Sequence, residues 1–88
     1  MNWRTYHAPN SGLLAYAEGP RFIAIEFKTG ECYLYNWTKP GRTHVAEMKR
    51  RAHHTSGLTT YINQHVRENY AAKLPRRHRR ARATTAHA

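Results

Sequence analysis

Two runs of basic side chains are where this sequence could do chemistry: Lys49, Arg50 and Arg51 in a row, and Lys73, Arg76, Arg77, Arg79, Arg80 and Arg82 within ten residues that hold no acid. The chemistry is electrostatic. Each Lys or Arg set beside a phosphate releases counterions and strengthens binding without reading a base, so six such contacts would give log K a slope of about −4 to −5 against log salt. Glu47 precedes Arg51 by four residues, but such a helical pair is worth only about 0.3–0.5 kcal/mol, so the first run is not needed for stability. Aromatic side chains add a second chemistry. An exposed ring that stacks on an unpaired base is worth ~1–3 kcal/mol, and Phe22 and Trp37, with Trp3 and Tyr6 behind them, are the candidates.

Other chemistries find little support. Seven histidines invite a metal reading, yet the only adjacent pair, His53-His54, has diverging side chains and no Cys or acidic neighbour, so no metal site is expected. His65 falls on an apolar helical stripe and reads as a hydrogen-bonded interior residue. Five glutamates are scattered and there is no Asp, while Gly30 stands in a hairpin without phosphate-loop spacing. Cys32 lies in a strand pattern with no cation to activate it. The expectation is a non-catalytic protein that uses no cofactor.

With 15 Lys plus Arg against 5 Glu, the 88-residue chain carries a formal charge of +10, and residues 1–72 remain basic without the second run. One domain is the limit at this length, burying roughly 60% of its unfolded surface. A single Cys excludes an internal disulfide and points to a reducing compartment. No apolar leader and no membrane-length run is visible, so a cytoplasmic protein without membrane contact is expected.

The elements that must position these residues follow from periodicity. Residues 1–10 read as an N-terminal segment or edge strand, Asn10-Ser11-Gly12 as a turn, and residues 13–17 as a first strand closed by Glu18-Gly19-Pro20. Ile23, Ile25 and Phe27 then alternate with Ala24 and Glu26, and Tyr33, Tyr35 and Trp37 alternate with Cys32, Leu34 and Asn36. A two-residue turn at Thr29-Gly30 would force positive φ on a β-branched residue, whereas a three-residue loop, Lys28-Thr29-Gly30, asks it only of Gly30. The longer loop is favoured. It pairs Ile25 with Tyr33 and Ile23 with Tyr35, sending both tyrosines to the core; the other register would expose an aromatic platform.

Thr38 and Pro40 read as a helix start, with Val45, Met48 and Ala52 on its buried stripe and Glu47, Arg50 and Arg51 opposite. Thr55 or Ser56 would cap a second helix burying Leu58, Tyr61, Ile62, His65 and Val66. The resulting expectation is an α+β fold: a small antiparallel β-meander of three to four strands, with two C-terminal helices packed on one face. The globular part spans residues 11–72, and residues 73–88 form a basic disordered tail.

The order Ile25, Phe27, Gly30, then Tyr33-Leu34-Tyr35, then Ser56-Gly57, Tyr61-Ile62-Asn63, Val66 and Tyr70 resembles the KTSC domain family over roughly residues 11–70. That family takes its name from the C-terminus of some lysyl-tRNA synthetases and includes stand-alone bacterial and phage proteins. Trp37-Thr38-Lys39-Pro40 stands where the family commonly has Val-Pro, and Ile62 replaces its usual Phe. The resemblance implies RNA binding. Charge and resemblance together lead to the expectation of a small basic nucleic-acid-binding protein, RNA before DNA. The alternative is an adaptor or phage-type inhibitor docking on an acidic protein surface, which an exposed patch of Phe22, Ala24, Cys32 and Leu34 would favour.

Overall fold

The turn between the two alternating segments decides the architecture, and a computed structural model, which describes residues 1–8 and 11–77, resolves it in favour of the longer loop. Gly30 takes a φ of 100°, a conformation that costs an L side chain about 1–2 kcal/mol. Its N–H donates to Phe27 O at 2.9 Å, and Phe27 N–H donates to Glu31 O at 2.9 Å. Ile23 therefore faces Tyr35 and Ile25 faces Tyr33. Tyr35 is fully buried and its hydroxyl donates to Arg67 O at 3.1 Å, while Tyr33 is half-buried.

Five strands form one antiparallel sheet in the order β1-β2-β3-β4-β5: β1 (Arg4–Thr5), β2 (Leu13–Gly19), β3 (Phe22–Phe27), β4 (Cys32–Asn36) and β5 (Ala72–Leu74). The expected three to four strands become five because β1 and β5 are two and three residues long, too short for alternation to register. A register shift between Leu13 and Ala15 lets both residues be buried, Leu13 opposite Phe27 and Ala15 opposite Glu26. β5 also moves the boundary drawn at residue 72, since Lys73 and Leu74 pair with Tyr33 and Cys32 inside the sheet. The helices thus stand between β4 and β5.

Helix α1 (Arg42–His53) buries Val45, Met48 and Ala52 as its periodicity predicts. Its start differs from the expected Thr38 cap. Asn36 Oδ1 accepts from the N–H groups of Thr38 and Lys39 at 3.0 and 2.9 Å, so those residues form a side-chain-stabilised turn. Gly41 (φ 121°) then delivers the chain into the helix without a side-chain cap. Helix α2 (Leu58–Tyr61) is likewise preceded by Gly57 rather than capped by Thr55 or Ser56, and it widens into a π-helical turn, Ile62–Val66. That widening changes the period. Ile62 and Val66 stay buried, but His65 is exposed, contrary to the interior position that a 3.6-residue stripe predicts. Both helices cover the face bearing Ile23, Ile25 and Tyr35, where Met48, Leu58 and Ile62 complete the core; each such side chain contributes about 1.5–3 kcal/mol by leaving water.

Candidate nucleic-acid interface

Trp37 stands where β4 ends. Its N–H donates to Arg21 O at 3.2 Å, continuing the β3–β4 register one step beyond the Phe22–Asn36 pair and bringing the Arg21 side chain beside the indole. Gly41 meanwhile turns the chain so that Arg42 opens α1 next to the same ring. The Arg42 guanidinium lies 4.6 Å and that of Arg21 5.5 Å from a Trp37 ring centroid. Trp37 is still 40% exposed, and Arg21, Arg42 and the nearby Lys39 are all exposed.

Among the described residues none of these three cations forms an ion pair. The first turn of α1 also lacks an acidic residue, although the helix dipole favours one there. Two guanidinium groups over an aromatic face, with an exposed lysine two residues along the chain and no carboxylate paired to any of the three among the described residues, make a corner suited to a phosphate–base–phosphate segment. Arg21 and Arg42 were not singled out by charge clustering, which looks along the chain. The signal that finds Arg21 is the hairpin register, since pairing Ile23 with Tyr35 obliges Arg21 to sit opposite Trp37.

The cations that clustering does single out sit in a different environment. Glu47 accepts from Arg50 through Nε (3.1 Å) and Nη2, and from Arg51 Nε at 2.6 Å. Arg50 first and Arg51 second hold its carboxyl down at about 2. These arginines border a shallow depression with His54, Ser56 and Gly57, but Glu47 cancels half their charge. Lys49 Nζ donates to Gly19 O at 2.5 Å, tying α1 to the β2–β3 turn.

Lys73 and Arg76 converge on Glu31, at 3.2 and 3.6 Å, and Arg76 Nη1 donates to Thr29 O at 3.0 Å. Glu31 Oε1 also accepts from the Tyr33 hydroxyl at 2.6 Å. That hydrogen bond, and then Lys73, lower the Glu31 carboxyl below its ordinary value, and the same hydrogen bond to Glu31, followed by burial, pushes the Tyr33 hydroxyl up to about 12. Arg77 binds Glu26, which is 1% exposed, and lays its guanidinium 4.5 Å from a Trp3 ring centroid. Arg79, Arg80 and Arg82 lie outside the described residues.

The remaining aromatic candidates are less exposed than Trp37. Tyr6 is a core residue whose hydroxyl accepts from Leu58 N–H at 3.4 Å, Trp3 is half-buried beside Arg77, and Phe22 is half-buried with its ring pressed on Gly19, where a Cβ would collide. The patch of Phe22, Ala24, Cys32 and Leu34 is not open either, for Ala24 and Cys32 are fully buried. Burial raises the Cys32 thiol above its ordinary value. His53 Nε2 reaches Glu18 while His54 Nδ1 meets Arg50 O, so the two rings part as adjacent helical side chains must.

Among the described residues no group of three or more His, Cys, Asp or Glu side chains gathers as metal ligands. No described helix is long and apolar enough to cross a membrane. Compared with protein-family models, with curated proteins and with solved structures, the chain has no match.

Proposed function

We propose that this protein is a non-catalytic nucleic-acid-binding domain, RNA before DNA, that takes an unpaired base against Trp37 while Arg21, Lys39 and Arg42 meet the neighbouring phosphates. The observation that carries the reading is the exposed indole with two guanidinium groups over it and, among the described residues, no acidic partner for either. A base that slides onto the ring displaces a guanidinium, which is then free to follow the phosphate. An indole reaches only bases that are out of a duplex stack, and such bases are the usual target of sequence-specific RNA recognition. The KTSC-like reading of residues 11–70 belongs to the same proposal, as does a supporting role for Arg79, Arg80 and Arg82.

The test is equilibrium binding of a short single-stranded RNA, the matching DNA strand and an RNA duplex to the full chain across a salt series. Three phosphate contacts at this corner predict a log K slope of at least about −2 against log salt for the single strand, with the duplex bound more weakly. Affinity that ignores salt, or that Trp37→Ala leaves intact, removes the reading. If only an acidic protein surface is retained after nuclease treatment, the docking alternative replaces it.

A further inference from the structure

At the end of the sheet away from Trp37, a groove of about 440 Å³ opens between the β3–β4 turn and the π-helical turn, with Phe27, Thr29, Glu31, Tyr33, Asn63 and Arg67 among its walls. Its size lies within the ~300–1,000 Å³ of small-molecule sites. We propose that this groove binds the base of a guanine nucleotide, a second site that does not depend on the Trp37 corner.

The argument is one of donors and acceptors. Arg67 Nη1 donates to Asn63 Oδ1 at 2.6 Å, which spends one N–H of the guanidinium's five and fixes its plane. Asn63 keeps its amide N–H groups without a protein acceptor among the described residues. That side of the groove therefore carries a guanidinium and an amide with unspent N–H donors, the chemistry that meets O6 and N7 of guanine.

Glu31 supplies the opposite character. Its Oε1 takes the Tyr33 hydroxyl and Lys73, whereas Oε2 has only the longer 3.6 Å approach of Arg76, leaving lone-pair capacity for the N1–H and exocyclic amine of the same base. Because its carboxyl is held below its ordinary value, Glu31 is an acceptor at neutral pH. Adenine puts a donor where guanine has O6, and the pyrimidines lack the O6/N7 pair, so the combination selects one base. Half-buried Phe27, held edge-on to Tyr33 at 5.7 Å, provides an apolar wall for the ring, and Tyr33 is backed in turn by Tyr70, stacked at 4.5 Å. Exposed Lys28, which lies in the chain between the lining residues Phe27 and Thr29, supplies positive charge for a phosphate.

The experiment is titration of the isotopically labelled full chain with GMP, AMP, CMP and UMP, followed by NMR. GMP should give saturable shifts at the Asn63 side-chain amide and in residues 27–31, with a dissociation constant about tenfold below the other three, the size of one bidentate base contact. Arg67→Ala, a change at an exposed residue, should level the four affinities, and Trp37→Ala should leave GMP binding unchanged. Equal binding of all four nucleotides, no saturable shift, or shifts that vanish with Trp37→Ala would overturn the assignment. GMP binding at the groove with no RNA binding at all would uphold this inference while removing the function proposed for the Trp37 corner.

Discussion

The two basic regions of this molecule differ less in how many cations they hold than in what those cations already hold. Around Glu47 and Glu31, arginines and lysines are densest in sequence, yet the carboxylates between them bring each cluster close to a single net charge. At Trp37 two guanidinium groups come from separate places, positions 21 and 42, with Lys39 two residues along the chain, and among the described residues no carboxylate answers any of the three. A phosphate arriving at the first kind of site must compete with an internal partner; at the second it competes only with water. Charge density along a chain is therefore a poor guide to free charge on a surface.

The largest effect that separates the regions is expected from Trp37→Ala, which should weaken single-stranded RNA binding by about 1–3 kcal/mol. Arg21→Ala and Arg42→Ala should each remove about 0.7 from the magnitude of the log K against log salt slope, while Arg50→Ala and Arg51→Ala should change it by much less. Filter or anisotropy titrations at four salt concentrations decide the matter. If the Arg50 and Arg51 variants lose more slope than the Arg21 and Arg42 variants, the contrast is reversed and Glu47 is no competitor.

A second effect concerns stability alone. Arg77 leaves β5 to bind the buried Glu26 carboxylate and to cover Trp3, so it acts as a strap from the end of the sheet across its second face. Arg77→Ala should cost about 1–3 kcal/mol by denaturant unfolding, less than the ~3–5 kcal/mol of a wholly buried pair because Arg77 is 31% exposed. The RNA affinity of the folded variant should stay within about twofold of wild type, well inside the effect of one lost phosphate or base contact. A variant of full stability with lost affinity would move Arg77 from the strap to the binding surface.

Much of this was legible in the residues. The conformational demand on Gly30 chose the hairpin register, and that register fixed the tyrosine face and placed Trp37 opposite Arg21. The stripe Val45, Met48, Ala52 located α1. What escaped was set by contacts remote in sequence: two- and three-residue edge strands exist only because a neighbour pairs with them, and the ion pairs of residues 73–77 depend on β5 docking beside β4. His65 departs from the interior position its spacing predicts because a π-helical turn shifts the period without any local residue signal. The helix starts escaped for another reason, as Gly41 and Gly57 replace side-chain caps with backbone conformations that a cap search does not seek.

The smallest effect is also the sharpest probe of who holds the arginines. Glu47, with its carboxyl at about 2 against an ordinary 4.5, is depressed in the folded state. Its pairing therefore stabilises the fold fully above the unfolded value, and that contribution fades as pH falls from 4.5 through about 2. Exposure of the pair keeps the stability change slight, so the measurement of choice is the carboxyl chemical shift during an acid titration. Glu47 should titrate near 2, and Arg50→Ala with Arg51→Ala should return it to the ordinary carboxylate range. Repeating the titration with bound RNA carries the comparison further: a midpoint that stays near 2 means both arginines remain on Glu47 while the strand lies elsewhere. A midpoint that rises on RNA addition means phosphates have taken them, and the Glu47 cluster would then belong to the binding surface together with Trp37.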